Sequence, residues 1–417
     1  MSSKFIFRAF GIAAISLSSL VSRAQVKILF DATKAESAGN ADWVLDADLH
    51  NIDWYPTATT GAGSFYTASN PQRIPTPAQS GITSSTSETY WNGALSAWGV
   101  DCAKKGYTVE TLPYNGQITY GNSSNAQDLS NYKVFVVDEP NLPFTAAEKT
   151  AILQYVQAGG SLFMIADHNV SDRNGDGWDS PHIWNDLLSN NTVQPNPFGI
   201  YYDTVDFSQT TTNISAASTD SIIHGPMGNV AKVQYSGGTT MTLNPVLNSS
   251  VKGVVYKTGS ATGNYNVMVA YARFGQGKVG AMGDSSPFDD GTGNPACTLY
   301  DGYFADASGN HQLLIMNMTI WLATTDVTSH VGVDEVSTGG SYLKVFPNPS
   351  TGIINLSTLA DIGDATISIY NFAGQLVSSA QSTLNAGDVQ TFTLPAGSYF
   401  VRVVSGKGLQ TTRFAVY

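Results

Sequence analysis

The chain has 417 residues with 32 acidic and 20 basic side chains, a formal charge of −12. That length suits one large domain with a smaller companion. The acidic balance disfavours nucleic acid and anionic membrane as partners and suits hard cations or neutral substrates.

Residues 1–24, MSSKFIFRAFGIAAISLSSLVSRA, set Lys4 and Arg8 before an apolar run from Phe10 to Val21. Ser22-Arg23-Ala24 puts small residues at the two positions a signal peptidase checks, so a secretory signal is expected. A membrane anchor is disfavoured because the run is short and broken by serines. No other stretch approaches spanning length, so no transmembrane segment is expected in the mature protein. The signal holds three of the basic residues and no acid, leaving 17 bases against 32 acids, a net of −15. Cys102 and Cys297 could pair outside the cytoplasm, but their separation in sequence leaves that open.

The next 300 or so residues read as strands and helices in alternation. VKILFD (26–31) is a short apolar strand ending in an acid. Residues 56–86, rich in Thr, Ser, Gly and Pro, form a long irregular insertion, either a lid or binding loop or a surface excursion. SETYWNGALSAWGVDCAKKG reads as a helix leading into the strand YTVETLP. KVFVVDE (133–139) is again apolar and ends in acids. FTAAEKTAILQYVQAGG opens on the capping box Thr145-x-x-Glu148 and closes at Gly159-Gly160, which marks a helix. SLFMIAD is a buried strand, NVMVAYARFG and GKVGAMGD are adjacent strands, and NHQLLIMNMTIWLA is a closing helix. Continuous apolar strands separated by helices predict an α/β fold, a parallel sheet covered on both faces.

The strand end at Asp31, the VVDEPN strand end, the AGGSLFMIADH join and GKVGAMGDSSP resemble the class I glutamine-amidotransferase-like superfamily. The pattern is nearest its trehalose-utilisation-like and uncharacterised secreted branches. The resemblance spans about residues 26–325 and implies a flavodoxin-like, doubly wound, mostly parallel sheet with its sites beyond the C-terminal strand ends. It departs at the nucleophile. Those enzymes carry G-x-C-x-G after the strand matched by SLFMIAD, where this chain reads Ala166-Asp167-His168-Asn169. Cys102 lies in a predicted helix and Cys297 in a Pro-Gly-rich loop, so glutamine amidotransfer is not expected.

In an open parallel sheet, ligands bind outside the carboxyl ends of the strands. Those ends deliver Asp31, Asp138 with Glu139, Asp167 with His168, and Asp284 with Ser285 and Ser286; adjoining loops add Glu36, Asn40, Asp42, Asp289 and Asp290. Carboxylates crowded on one edge need a cation or a shared proton. Some would merely cap helix N-termini. The expected catalytic set is Asp167, His168, Asp31, Asp284 and Ser285, with His168 a metal ligand or general base. A divalent metal among the strand-end acids is a further expectation.

Asp172-Arg173-Asn174-Gly175-Asp176-Gly177 matches the first half of a calcium loop, D-x-N-x-D-G, in which oxygens at alternate positions wrap the ion. Position 12 is Ile183 rather than Glu, so Asp179 or Asp186 would have to complete the shell. Structural calcium held by Asp172, Asn174, Asp176 and Asp179 is expected; a self-satisfied Asp/Asn/Gly turn is the alternative. Gly283-Asp284-Ser285-Ser286 resembles the nucleophile block of Gly-Asp-Ser lipase/esterases. Here it lies on a late strand, and the nearest downstream acid–histidine pair is Asp306-x4-His311, with the wrong spacing.

The C-terminal segment alternates in short strands: YLKVFPNPSTGIINLS, ATISIYNFAGQLV, QTFTLPAGSYFVRVV and LQTTRFAVY. Such a pattern predicts a small β-sandwich. Phe346-Pro347-Asn348-Pro349, Gly352, IYNFAGQLV and LPAGSYFVRV resemble, as a set, the C-terminal sorting domain of type IX secretion cargo. That implies export by the type IX machinery of a gram-negative bacterium, followed by release or surface attachment. The expected organisation is a signal (1–24), an α/β domain (25–325), a linker (326–341) and a sorting domain (342–417). Two functions stay open for the large domain. One is a metal-dependent or acid–base hydrolase of an extracellular carbohydrate or other polymer, with a Ser285 esterase as a variant; the other is a non-catalytic surface ligand-binding protein.

Overall fold

The computed structural model describes residues 25–38, 41–46, 72–293, 300–304, 307–325, 343–372 and 374–417. Two compact units result, Met1–Thr325 and Asp326–Tyr417. The expected signal (1–24) and linker (326–341), with Asn40, Cys297 and Asp306, lie outside the described residues. So does most of the 56–86 insertion; its remainder forms short 3-10 turns such as Gln79–Gly81.

In the larger unit the chain runs β1 (Lys27–Asp31), α1 (Ser96–Lys104), β2 (Thr108–Leu112), β3 (Val134–Asp138), α2 (Ala146–Gln157), β4 (Ser161–Ile165) and α3 (Ser180–Ser189). It continues through β5 (Ile200–Tyr202), β6 (Phe207–Thr211), β7 (Val233–Gly238), β8 (Met241–Leu243), β9 (Lys252–Tyr256), β10 (Val267–Phe274), β11 (Gly277–Met282) and α4 (His311–Ala323). The main sheet has the order β2-β1-β3-β4-β11-β10-β8-β5, with β9 also on β10. The first five strands are parallel. β10 then turns back antiparallel on β11, and the outer strands stay antiparallel. The sheet is therefore mostly parallel with an antiparallel flank, and β6 and β7 form a separate ladder.

Strand periodicity explains the layers. Ile28, Phe30, Val134, Val136, Phe163 and Ile165 face one way and pack with α1 and α4. Leu29, Phe135, Val137, Leu162 and Met164 face the other way and pack with α2 and α3. Both faces are buried, so these strands show no polar alternation. Trp98 of α1 sets its ring edge-on against Phe30 (4.9 Å) and Phe163 (5.6 Å); full burial of so large an apolar side chain contributes roughly 1.5–3 kcal/mol. The capping box of α2 forms as expected: Thr145 Oγ1 accepts from the Glu148 N–H, and Glu148 Oε2 accepts from the Thr145 N–H. The strand order reverses between β1 and β3, the position at which doubly wound sheets bind ligands.

The smaller unit holds β12 (Leu343–Phe346), β13 (Ile353–Thr358), β14 (Gly363–Asn371), β15 (Leu376–Leu384), β16 (Val389–Thr393), β17 (Gly397–Ser405) and β18 (Gly408–Val416). Two antiparallel sheets, β12-β13-β16 and β15-β14-β17-β18, share one core of Ile354, Leu356, Ile367, Ile369, Val401 and Val403 among others. This is the expected β-sandwich.

Candidate functional site

The strand-end acids fall into two groups. After β1, Asp31 accepts from the Thr33 N–H and hydroxyl (both 3.2 Å) and lies against Glu36. Burial pushes both carboxyls up, and for Glu36 the Asp31 charge adds to it. Lys34 beside them spends its ammonium on Glu148 Oε1, 2.6 Å away. Two buried carboxyls in contact share a proton more readily than they both ionise.

The second group gathers beyond β3, β4 and β11. Glu139, fully buried, accepts from Trp43 Nε1 (2.9 Å), Arg173 Nε (2.9 Å) and Ser285 Oγ (2.6 Å). Arg173 also donates to Asp167 Oδ2 at 2.5 Å. The positive group among these acids is thus a side chain of the following loop. Burial opposes its charge, but Glu139 and Asp167 hold the guanidinium pKa above its ordinary value. Among the described residues no group of three or more His, Cys, Asp or Glu is arranged to hold a metal ion. Arg173 supplies positive charge among these acids.

Asp138 is 2% exposed, and neither of its oxygens has a hydrogen-bond partner. Burial, then the charges of Glu139, Asp284 and Asp289, push its carboxyl well above the usual range. Burial likewise raises Asp167, with Glu139 and Asp284 adding and Arg173 opposing. Asp284 is pushed up to about 7 by burial, although the Ser286 and Ser236 N–H groups donate to it. Glu139 follows β3 in left-handed backbone at φ 46°, a conformation that costs a non-glycine residue about 1–3 kcal/mol and gathers at functional sites. Its N–H is tied to the Ile165 carbonyl. Asn141 binds the two groups together, donating to the carbonyls of Ala35, Ser37 and Glu139.

His168 is the solvent-reaching member, its side chain 20% exposed. Nδ1 lies 2.6 Å from the Asn169 carbonyl, and Nε2 lies 3.6 Å from Asp167 Oδ2. The end of β7 lies against both His168 and Asp284. A Cβ at Gly237 (φ 78°) would stand 3.3 Å from His168 Cδ2, and one at Gly238 would stand 2.8 Å from Asp284 Cβ. Ser285 has Glu139 as its partner; among the described residues no histidine bonds to it. His311 is a satisfied core residue, with Nδ1 on the Gly302 carbonyl and Nε2 accepting from the Gln234 N–H. His224 is exposed and meets Asn229.

The 172–177 loop folds on its own oxygens. Asp172 accepts from the N–H groups of Asp176 and Gly177, Asn174 from Asp176, and Asp176 from Trp178. Asp179 is drawn off to cap α3, accepting from His182 N–H and Val170 N–H, and Asp186 pairs with Lys149 at 2.7 Å. Asp290 caps α1 through Ser96 Oγ and the Ala97 N–H, both at 2.7 Å. Asp289 accepts from the Gly291 and Tyr300 N–H groups. Sequence reasoning named Glu139 among the strand-end acids but left it out of the expected catalytic set, and it did not single out Trp43, Asn141 or Arg173. Only Arg173 left a local signal, as the sole Lys or Arg between 161 and 188 amid five acids.

Among solved structures, the fold is similar to the mmIFT52 N-terminal domain (15% identity, 54% of this chain and 89% of that one, TM-score 0.38). It is also similar to a ThuA-like protein from Parabacteroides merdae (13% identity, 75% and 94%, TM-score 0.32). A DUF3244 family protein with an immunoglobulin-like β-sandwich from Bacteroides vulgatus matches 18% of the chain and 86% of its own (20% identity, TM-score 0.16). Likeness at this level concerns fold alone. No curated protein sequence matches the chain, and among the described residues no helix is long and apolar enough to cross a membrane. Residues 344–417 match the family described as the secretion system C-terminal sorting domain. The C-terminal unit is a type IX sorting domain, and the chain is directed to secretion or the cell surface.

Proposed function

We propose that the large unit is an extracellular hydrolase of carbohydrate or another polymer, working at the edge formed by Asp167, His168 and Asp284. The observation that carries this reading is the setting of His168. A carbonyl can only accept, so Nδ1 carries the proton of the neutral ring, which leaves the Nε2 lone pair beside Asp167 as a general base. Asp284, pushed up to about 7, keeps a proton to give near neutral pH. The base would take a proton from attacking water while the acid protonates the leaving oxygen. Kinship with the glutamine-amidotransferase-like superfamily is part of the same proposal, supported by the strand-end motifs and the β2-β1-β3-β4 order.

Calcium in the 172–177 loop belongs to the proposal as a structural ion that would fix the loop carrying Arg173. Elemental analysis and melting with and without chelator test it; an unchanged melt and no calcium would remove it. The hydrolase itself is tested by screening the full chain on polymers, then His168→Ala and Asp167→Asn. Activity should fall at least 100-fold for His168→Ala, the usual lower size of an acid–base contribution, with little change in urea unfolding. The non-catalytic reading is favoured by the saturation of Glu139. It would be supported if both variants kept full specific activity and lost only stability, about 1–3 kcal/mol.

A further inference from the structure

A cleft lies against α4, sharing no residue with the strand-end acids. Its volume is about 140 Å³, and its walls include Thr219, Asp220, Ser221, Lys252, Tyr271 and Trp321. The cleft is built rather than incidental. Tyr271 and Lys252 are cross-strand partners on β10 and β9, which puts both on one face of the sheet. Tyr271 donates its hydroxyl to Asp220 Oδ2 at 2.7 Å, and Asp220 Oδ1 accepts from the Ile222 and Ile223 N–H groups. Asn317 of α4 donates to the Ile222 carbonyl, pinning the 217–222 wall to the helix. The Trp321 ring meets Tyr271 at 5.0 Å. Little ordering is left to do when a ligand arrives, and that preorganisation favours binding.

Charge gives the ligand class. The chain has a large excess of acid, yet three cations stand near one aromatic pair, and Lys252 is the one that lines the cleft, opposite Asp220. Lys252 stands 6.0 Å from the Tyr271 ring, and Arg273 and Lys278 stand 5.7 Å and 5.0 Å from the Trp321 ring. Lys278 is committed to the Trp321 and Thr324 carbonyls, whereas Lys252 is exposed and makes no ion pair among the described residues. Asp220 and the Ser221 and Thr219 hydroxyls add acceptors and donors along one wall.

We infer that this cleft is a binding subsite for one anionic sugar unit of a polysaccharide. The ring's C–H face would rest on the Tyr271–Trp321 pair, the acidic group on Lys252, and the hydroxyls on Asp220, Ser221 and Thr219. Aromatic faces supply contact area at low entropy cost, and the ammonium selects for charge. The site does not depend on the hydrolase reading, since its readout is binding.

The test is affinity electrophoresis of the full chain through native gels containing polygalacturonate, dextran sulfate or plain dextran. Retardation is expected in at least one anionic gel and not in dextran, and the two anionic gels separate carboxylate from sulfate recognition. Lys252→Ala should weaken the apparent affinity at least fivefold and Trp321→Ala at least tenfold. Lys344→Ala, in the other unit, should leave it unchanged. Circular dichroism and mobility in polymer-free gels confirm that the variants fold, and Lys252, being exposed, keeps the test open if Trp321→Ala does not fold. No retardation in either anionic gel, equal retardation in dextran, or wild-type retention by Lys252→Ala would overturn the inference.

Discussion

Asp290 and Asp167 both follow strands of one sheet, yet they live in different surroundings. Asp290 accepts two bonds from the start of α1 and two from Thr292; Asp179 does the same kind of work for α3. Such acids have a donor for each oxygen and stabilise a helix end. Asp167, Glu139, Asp138 and Asp284 instead face one another, and Arg173 is the cation bonded to two of them. Position at a strand end therefore does not make a site. What separates a brace from a candidate centre is whether several other buried carboxyls crowd the acid.

Removing the cation should give the largest effect. Arg173→Met leaves Glu139 and Asp167 buried without compensation and should cost about 3–5 kcal/mol in urea unfolding, in the range for breaking a buried pair. A loss below 1 kcal/mol would show that the acids carry protons and do not need the guanidinium. Titration probes the clustered acids next, although burial also raises the capping Asp290, to about 6. Asp138, Asp167 and Asp284 have folded pKa values above the ordinary carboxylate value. They bind protons more tightly folded than unfolded, so stability is fully present below pH 4 and falls as pH rises. For Asp284 that window runs from about 4 to about 7. Each such group contributes at most about 1.4 kcal/mol per pH unit. Thermal melts from pH 4.5 to 7.5 should show the decline, and Asp284→Asn should flatten it; a wild-type curve that rises throughout would contradict the clustered arrangement. The capping acid gives the smallest change. Asp290→Ala should cost about 1 kcal/mol without altering any polymer activity.

Much of the frame was legible because it is local. The Thr145–Glu148 box, the apolar runs of β1, β3, β4 and β11, and the alternation of β14 and β17 are patterns within a few residues of chain. Those patterns placed Asp31, Asp138, Asp167 and Asp284 on one edge. They could not say that Asp31 would pair with Glu36 while the other three gathered elsewhere, because the Arg173–Glu139 bond in the second group joins residues 34 apart. The D-x-N-x-D-G spelling was legible too. The guanidinium inside it reaches out of the loop into the sheet edge, and a motif read for its oxygens hides that.

That placement has a consequence for motion. Arg173 is the second residue of the 172–177 loop, so the loop cannot lift from the sheet without taking the guanidinium with it. Glu139 and Asp167 would then lose the one cation bonded to both among the described residues. Opening of this segment would therefore break contacts to two strand ends, β3 and β4, and not only the bonds within the loop.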